Sequence, residues 1–305
     1  MHKPIPTFQP LTGVYEPSAI QQLPDGRFLV VEDEKRYPFS LVSLGADGRV
    51  SSAPLNAEPM DGADDFGKLD DLEALTLDDS GRIYALTSHS RDAEGDAKKS
   101  RDKLVRFRVE ADRVVRPVVV KGLKPALMAA HPVLAEAAAI LDVKAAGGLN
   151  IEALEITPDQ QRLLVGFRSP LLDRHALIAA VENPAAMFDA GAPPRIAATL
   201  TTLDLGGHGI RGLAYIASLA GYLLISGPVA GEQVQFQLWF WSGMPGDPAQ
   251  RMTAPGLAGF EHAEGISAAM IDGQEHIILV SDDGDRKAGR FARYVVLDHS
   301  ALRPA

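Results

Sequence analysis

The sequence predicts an all-β fold, a single β-propeller of five blades. Three observations carry this. One phrase recurs five times along the 305 residues. Each copy is two apolar strands around a polar turn, and a further polar-bounded strand pair follows the hairpin. Four antiparallel strands in about 50 residues, repeated, is the signature of propeller blades.

The units run in order. The first is PSAIQQLPDGRFLVVEDE from Pro17, with its turn at Leu23–Arg27 and the strand pair FSLVSLGADGRVSSAPL after it. The second is DLEALTLDDSGRIYALTSHS from Asp71, with a turn at Leu77–Arg82, followed by DKLVRFRVEADRVVRPVVV. GLNIEALEITPDQQRLLVGFRSPL (Gly148–Leu171), IRGLAYIASLAGYLLISGP from Ile210 and AEGISAAMIDGQEHIILVSDDG from Ala263 complete the set. Apolar runs separated by a few Asp, Gly, Pro or Ser residues form hairpins. The fifth unit lacks a fourth strand after VSDDGDRKAGRFARYVVLD. The N-terminal segment is expected to supply it, with Ile5–Leu11 pairing against Tyr294–Leu297, which would remove the open sheet edges. Six blades, one of them degenerate, is the competing count.

The interval from Glu73 to Glu152 is the longest and contains an Ala-rich stretch, 124–148, with Pro132 near its start and Gly147–Gly148 at its end. This predicts a helical insertion. A helix over Pro132–Lys144 would lay Leu134, Ile140 and Leu141 on the propeller, and deletion of the segment would leave the blades folded. A second short helix is expected at Asn183–Phe188, capped by Asn183 with Pro184 at its first position.

Composition narrows the function. The net charge of −10 repels nucleic acid and anionic membranes, so neither is expected as a partner. No cysteine is present, which excludes disulfides and thiolate chemistry. No apolar run reaches the length of a membrane span. The start, MHKPIPTFQPLTG, has no apolar segment of signal-peptide type. The expected compartment is the cytoplasm, or the periplasm if an export segment has been removed. No Walker, GxGxxG, HExxH or GxSxG motif stands in a usable context.

The repeated position carries the chemistry. It is a triplet of variable, small and aliphatic residues: Ser18-Ala19-Ile20, Glu73-Ala74-Leu75, Glu152-Ala153-Leu154, Arg211-Gly212-Leu213 and Glu264-Gly265-Ile266. In a propeller the first strand of each blade lines the central channel. Strand alternation sets the variable and aliphatic residues on one face and the small residue on the other. The small residue then admits the neighbouring blade, and the variable one points to the axis. Glu73, Glu152 and Glu264 would meet there with Arg211, and gathered carboxylates call for a proton, a counter-cation or a metal. Ca²⁺ favours such oxygen cages. The metal set expected is Glu73, Glu152, Glu264, Asn150, Asp282 and Asp283. Arg211, Arg168, His208 and His262 are the expected ligand-binding residues, and Asp70, Asp71 and Arg91 lie near the same mouth.

The phrases GLNIEALEITPDQQRLLVGFRSPL, DDLEALTLDDSGRIYALTSHS and HAEGI resemble an uncharacterised bacterial propeller family, domain of unknown function 3616. The hairpins are more loosely similar to phytase-like propellers with esterase-like activity and to calcium-stimulated lactonase propellers. That looser resemblance implies a metal held by Glu, Asn and Asp at one channel mouth, matched by type at Glu264, Glu152, Asn150 and Asp282 or Asp283. Those relatives have six blades, whereas five units are counted here. The function expected is a metal-assisted hydrolase of a small anionic ester, lactone or phosphoester. The alternative is a non-catalytic propeller that binds a ligand or a protein partner.

Overall fold

Each repeated phrase forms the first two strands of an antiparallel sheet in the computed structural model, which describes residues 6–32, 38–45, 48–55, 65–142, 147–229 and 236–305. A short strand β1 (Gln9–Pro10) comes first. Blade 1 is β2 (Pro17–Gln22), β3 (Phe28–Glu32), β4 (Phe39–Leu44) and β5 (Val50–Pro54). Blade 2 is β6 (Leu72–Leu77), β7 (Ile83–Thr87), β8 (Leu104–Glu110) and β9 (Arg113–Val120). Two helices follow, α1 (Leu123–Ala130) and α2 (Pro132–Ala139). Blade 3 is β10 (Asn150–Ile156), β11 (Leu163–Ser169), β12 (Ala176–Val181) and, after α3 (Pro184–Ala190), β13 (Thr201–Leu203). Blade 4 is β14 (Gly209–Ile216), β15 (Gly221–Gly227), β16 (Gln237–Trp241) and β17 (Gln250–Thr253). Blade 5 is β18 (Ala263–Ile271), β19 (Gln274–Ser281) and β20 (Arg293–Asp298), and β21 (Arg303–Pro304) ends the chain.

Five sheets form among the described residues, so the five-blade count stands and the six-blade count falls. The first strands of neighbouring blades pack on one another in a closed ring, with β18 meeting β2. Five apolar cores fill the five blade interfaces. This explains the unbroken apolar second strands. In β3, Leu29 and Val31 enter the core shared with blade 2, while Phe28 and Val30 enter the core shared with blade 5. A strand buried on both faces has no polar face to alternate with.

Both ends of the described chain add strands to blade edges. β1 pairs with β20, Gln9 opposite Tyr294 and Pro10 opposite Arg293, and supplies the missing strand of blade 5. The pairing is shorter than expected, and Ile5 lies outside the described residues. β21 adds a fifth strand to the edge of blade 4, which the sequence did not suggest. Both ends thereby cover edges that would otherwise be open.

The insertion departs from expectation. Its described residues form two helices broken at His131, whose extended backbone precedes Pro132 as the first residue of α2. Such a residue is steered away from helix by the proline ring. The helix ends at Ala139, Leu141 is 62% exposed, and Lys144 lies outside the described residues. Leu123, Leu127 and Leu134 are buried in the core of blades 2 and 3. Truncating such side chains costs about 2–5 kcal/mol each. The insertion is therefore part of the core, and its deletion would open it. The predicted helix at Asn183 is present as α3, but Asn183 does not cap it. Its side chain instead accepts from Arg195 N at 2.8 Å and donates to Pro193 O at 3.0 Å. Among the described residues, no helix is long and apolar enough to cross a membrane.

Candidate functional site

The alternation expected in the first strands is broken at one place in every blade. The ladder between first and second strands skips one residue each time: Ser18, Glu73, Glu152, Arg211 and Glu264. Such a β-bulge leaves its extra residue unpaired and re-aims the side chain. The variable residue reaches the axis because of the bulge, not by simple alternation, and that corrects the sequence reading. All five skipped residues line one cavity of about 500 Å³.

The small residue beside each bulge is required by close approach. A Cβ on Gly212 would lie 2.7 Å from Glu264 O, and one on Gly265 would lie 3.1 Å from Ala19 Cα. Glycine at these positions lets blade 4 close on blade 5, and blade 5 on blade 1. The axial residues are drawn into range of one another.

Arg211 is the hub. It is 9% exposed, and its Nη1 lies 2.9 Å from Glu264 Oε1 and 3.0 Å from Glu152 Oε2. Its guanidinium sits 5.2 Å from the Phe236 ring centroid. Burial works against its charge, but Glu152, Glu264 and Glu73 outweigh this and raise its pKa. The other Glu152 oxygen, Oε1, meets Arg168 Nη1 at 3.0 Å and accepts from Asn150 Nδ2 at 2.9 Å. Such compensation is what a buried carboxylate needs to remain charged.

The acidic side of the cavity is different. Burial pushes the Glu264 carboxyl up, against Arg211 and with help from Glu152. Asp282 is exposed on the cavity wall, with protein atoms crowded around its carboxyl. Burial, then Glu264 and Glu16, push its carboxyl up to about 8. Asp283 turns away. Burial opposes its charge, but Arg293 and Ser281, whose Oγ donates at 2.5 Å, hold it below the usual carboxylate range.

On the blade 2 side, Asp71 takes a positive φ of 63°. Its Oδ2 receives Ser90 Oγ and Arg101 Nη1, each at 3.1 Å, together with Ser88 Oγ. Asp70 meets Arg101 Nε at 3.2 Å.

Of the expected site residues, the fold brings Glu73, Glu152, Glu264, Asn150, Asp282, Arg168 and Arg211 to this cavity, along with Asp71 and Arg91. Asp283, His208 and His262 are not on its wall. The His208 ring faces Ser226 Oγ at 3.5 Å, and burial, then Arg251, lower its pKa. His262 contributes its backbone carbonyl to Asp282 N at 2.8 Å. Glu16, Ser90, Arg101 and Asp142 were missed. Glu16 and Ser90 were recoverable, because an antiparallel hairpin sets the residue before its first strand beside those after its second. Arg101 and Asp142 arrive on loops and left no signal.

The carboxylates do not fit the expected calcium ion. Among the described residues, no three or more His, Asp or Glu side chains are arranged to hold a metal. The reason is local. Both Glu152 oxygens face guanidinium groups, and Glu264 shares one of them, so Arg211 occupies the place of a cation.

Several solved structures share the fold. A GH43 β-1,3-galactosidase with galactodeoxynojirimycin is 10% identical, with a TM-score of 0.52 over 97% of each chain. An oxidoreductase (glucose dehydrogenase) of Thermus thermophilus is 17% identical, with a TM-score of 0.48 over 96% of this chain and 100% of its own. A PQQ-bound aldose sugar dehydrogenase of Streptomyces coelicolor is 15% identical, with a TM-score of 0.47 over 99% and 100%. At these identities the likeness is one of fold. No curated protein matches the chain at a significant level. The profile of the family described as Protein of unknown function (DUF3616) matches residues 126–298, more than half of the sequence, and the chain belongs to that family.

Proposed function

We propose that the axial cavity binds a neutral, hydroxyl-rich molecule and that the protein hydrolyses a glycoside-type bond in it by carboxylate acid–base chemistry. The observation that carries this reading is the convergence of all five bulged residues on one cavity whose described wall holds eight carboxylates and four guanidinium groups. Carboxylates and guanidiniums together match the donor and acceptor pattern of hydroxyl groups. Arg101, Arg168 and Arg211 each face a protein carboxylate. This favours a neutral ligand over the anionic ester, lactone or phosphoester expected from sequence. The galactosidase of similar fold, named for its action on a sugar, points the same way.

Roles follow from charge state and position. Asp282, pushed up to about 8, holds its proton at neutral pH and is the acid. Glu73 stands on blade 2, which does not neighbour blade 5, and lines the same cavity as Asp282. Asp282 gives its proton to the leaving oxygen as the C–O bond breaks. Glu73 takes a proton from the water whose oxygen forms the new bond. Glu152, with both oxygens engaged, holds Arg168 and Arg211 in place.

A panel of p-nitrophenyl glycosides tests this. Turnover of at least one member is expected, falling as pH rises through about 8, where Asp282 loses its proton. Asp282→Asn and Glu73→Gln should each cut the rate at least about 100-fold while leaving binding in place. Binding without turnover would support the non-catalytic alternative, and absence of both would sink the reading. Turnover abolished by EDTA and restored by Ca²⁺ would reinstate the calcium-assisted hydrolase, which requires Arg211 to leave Glu152.

A further inference from the structure

A second void of about 450 Å³ lies beside the axial cavity and has the opposite character. Val133, Ala137, Ile140, Pro170, Leu171 and Val229 line it. Among the described residues, Glu136 is the charged residue on this wall, whereas twelve charged residues line the axial cavity. The two voids share their boundary. Ile140 faces the groove and the next residue, Leu141, faces the cavity. Arg168 lines the cavity, while Pro170, two residues on, lines the groove. Arg168 Nε also donates to Pro228 O at 3.2 Å, and Pro228 is followed in the chain by Val229 of the groove. Arg168 thus links Glu152 on the cavity side to the segment that carries Val229.

We infer that the groove is the subsite for an apolar group attached to the cavity's ligand, so that the ligand is an amphiphile. Its hydroxyl-rich head sits on the axis, and its alkyl or aryl tail crosses Arg168 into the groove. This rests on the head-group reading above but adds a separate claim. The physical reason is that apolar surface open to water beside a polar site gains free energy only from an apolar occupant. Leu141, 62% exposed, follows Ile140 of the groove in the chain, and Leu172, 39% exposed, follows Leu171. A molecule held in the cavity delivers its substituent to the groove at no further cost in translational freedom.

The test uses methyl, butyl and hexyl β-D-galactopyranosides in calorimetric titration. Each buried methylene is worth about fourfold in affinity at ~0.8 kcal/mol. Kd should therefore fall at least about tenfold from methyl to hexyl. Ile140→Asp should abolish that gradient and leave the methyl glycoside unaffected. Val229→Asp serves the same purpose should the first variant lose its circular-dichroism signature. A flat chain-length series, with the methyl glycoside bound, overturns the groove and spares the head-group reading. If no glycoside binds, that reading fails, and the neutral dye N-phenyl-1-naphthylamine decides the groove. Fluorescence enhancement lost in Ile140→Asp upholds an apolar subsite, and enhancement equal in all variants overturns it.

Discussion

Glu152 and Glu155 lie on one strand, the first buried and the second half-buried, and the fold treats them in opposite ways. Glu152 sits between two guanidinium groups, with Arg211 and Arg168 each 3.0 Å away. Glu155, nearer the other end of β10, has only neutral donors among the described residues. Thr76 Oγ1 donates to it at 2.9 Å and Tyr215 N at 3.1 Å. Burial pushes its carboxyl up to about 8. The first is clasped by two guanidinium groups, and the second is a carboxylic acid clasping the inner strands of blades 2 and 4 to its own. Burial alone does not set charge state. Partners do, since a guanidinium repays desolvation that a hydroxyl and an amide do not.

The largest effect should come from removing the shared cation. Arg211→Met leaves Glu152 and Glu264 buried against each other, and loss of one partner from a buried ion pair costs about 3–5 kcal/mol. Urea unfolding at pH 7 would measure it. Adding Glu152→Gln and Glu264→Gln to that variant should recover part of the loss. No recovery would mean that Arg211 acts through packing on Phe236.

Glu152→Gln alone should be milder, about 1–3 kcal/mol destabilising, because two guanidiniums lose a charged acceptor while Arg211 keeps Glu264. A repulsive carboxylate cluster would respond in the opposite direction. A rise in stability in metal-free buffer would refute the ion-pair account.

The smallest effect is expected for Glu155→Gln at pH 4, within about 1 kcal/mol, since below the unfolded value of 4.5 a neutral acid is exchanged for a neutral amide. Its signature is pH dependence. The folded pKa of Glu155 is raised above the unfolded value of 4.5, so its contribution is fully present below that value and is lost as pH rises to about 8. The variant's stability profile should be flatter across that window, by up to about 1.4 kcal/mol per pH unit. Parallel profiles for the two proteins would show that Glu155 ionises normally.

Much of this architecture was legible from local chemistry. Turn residues such as Gly26 and Gly81, both at positive φ, mark the hairpins, and apolar runs between them mark strands buried on both faces. A small residue after each axial position announced close-packed blades. The polar character of the axis was legible too, because Glu73, Glu152, Arg211 and Glu264 recur at one place in the repeat. The ligand list was not. It assumed that carboxylates meeting at an axis would share a cation, and Arg211 is that cation, supplied by the same repeat.

What the sequence determined by itself is the repeat: strand, turn, strand, with one variable position per blade, because these follow from residue-by-residue conformational preference and burial. What only the tertiary structure decided is where each variable side chain goes and what charge it keeps. The bulge that turns Glu152 toward the axis is a mismatch between two paired strands, and neither strand records it alone. The protons on Asp282 and Glu155 depend on groups from other blades, including Glu16, Thr76 and Tyr215. Electrostatic and desolvation energies are set by distance in space, and closure of the ring brings together residues that the chain holds far apart.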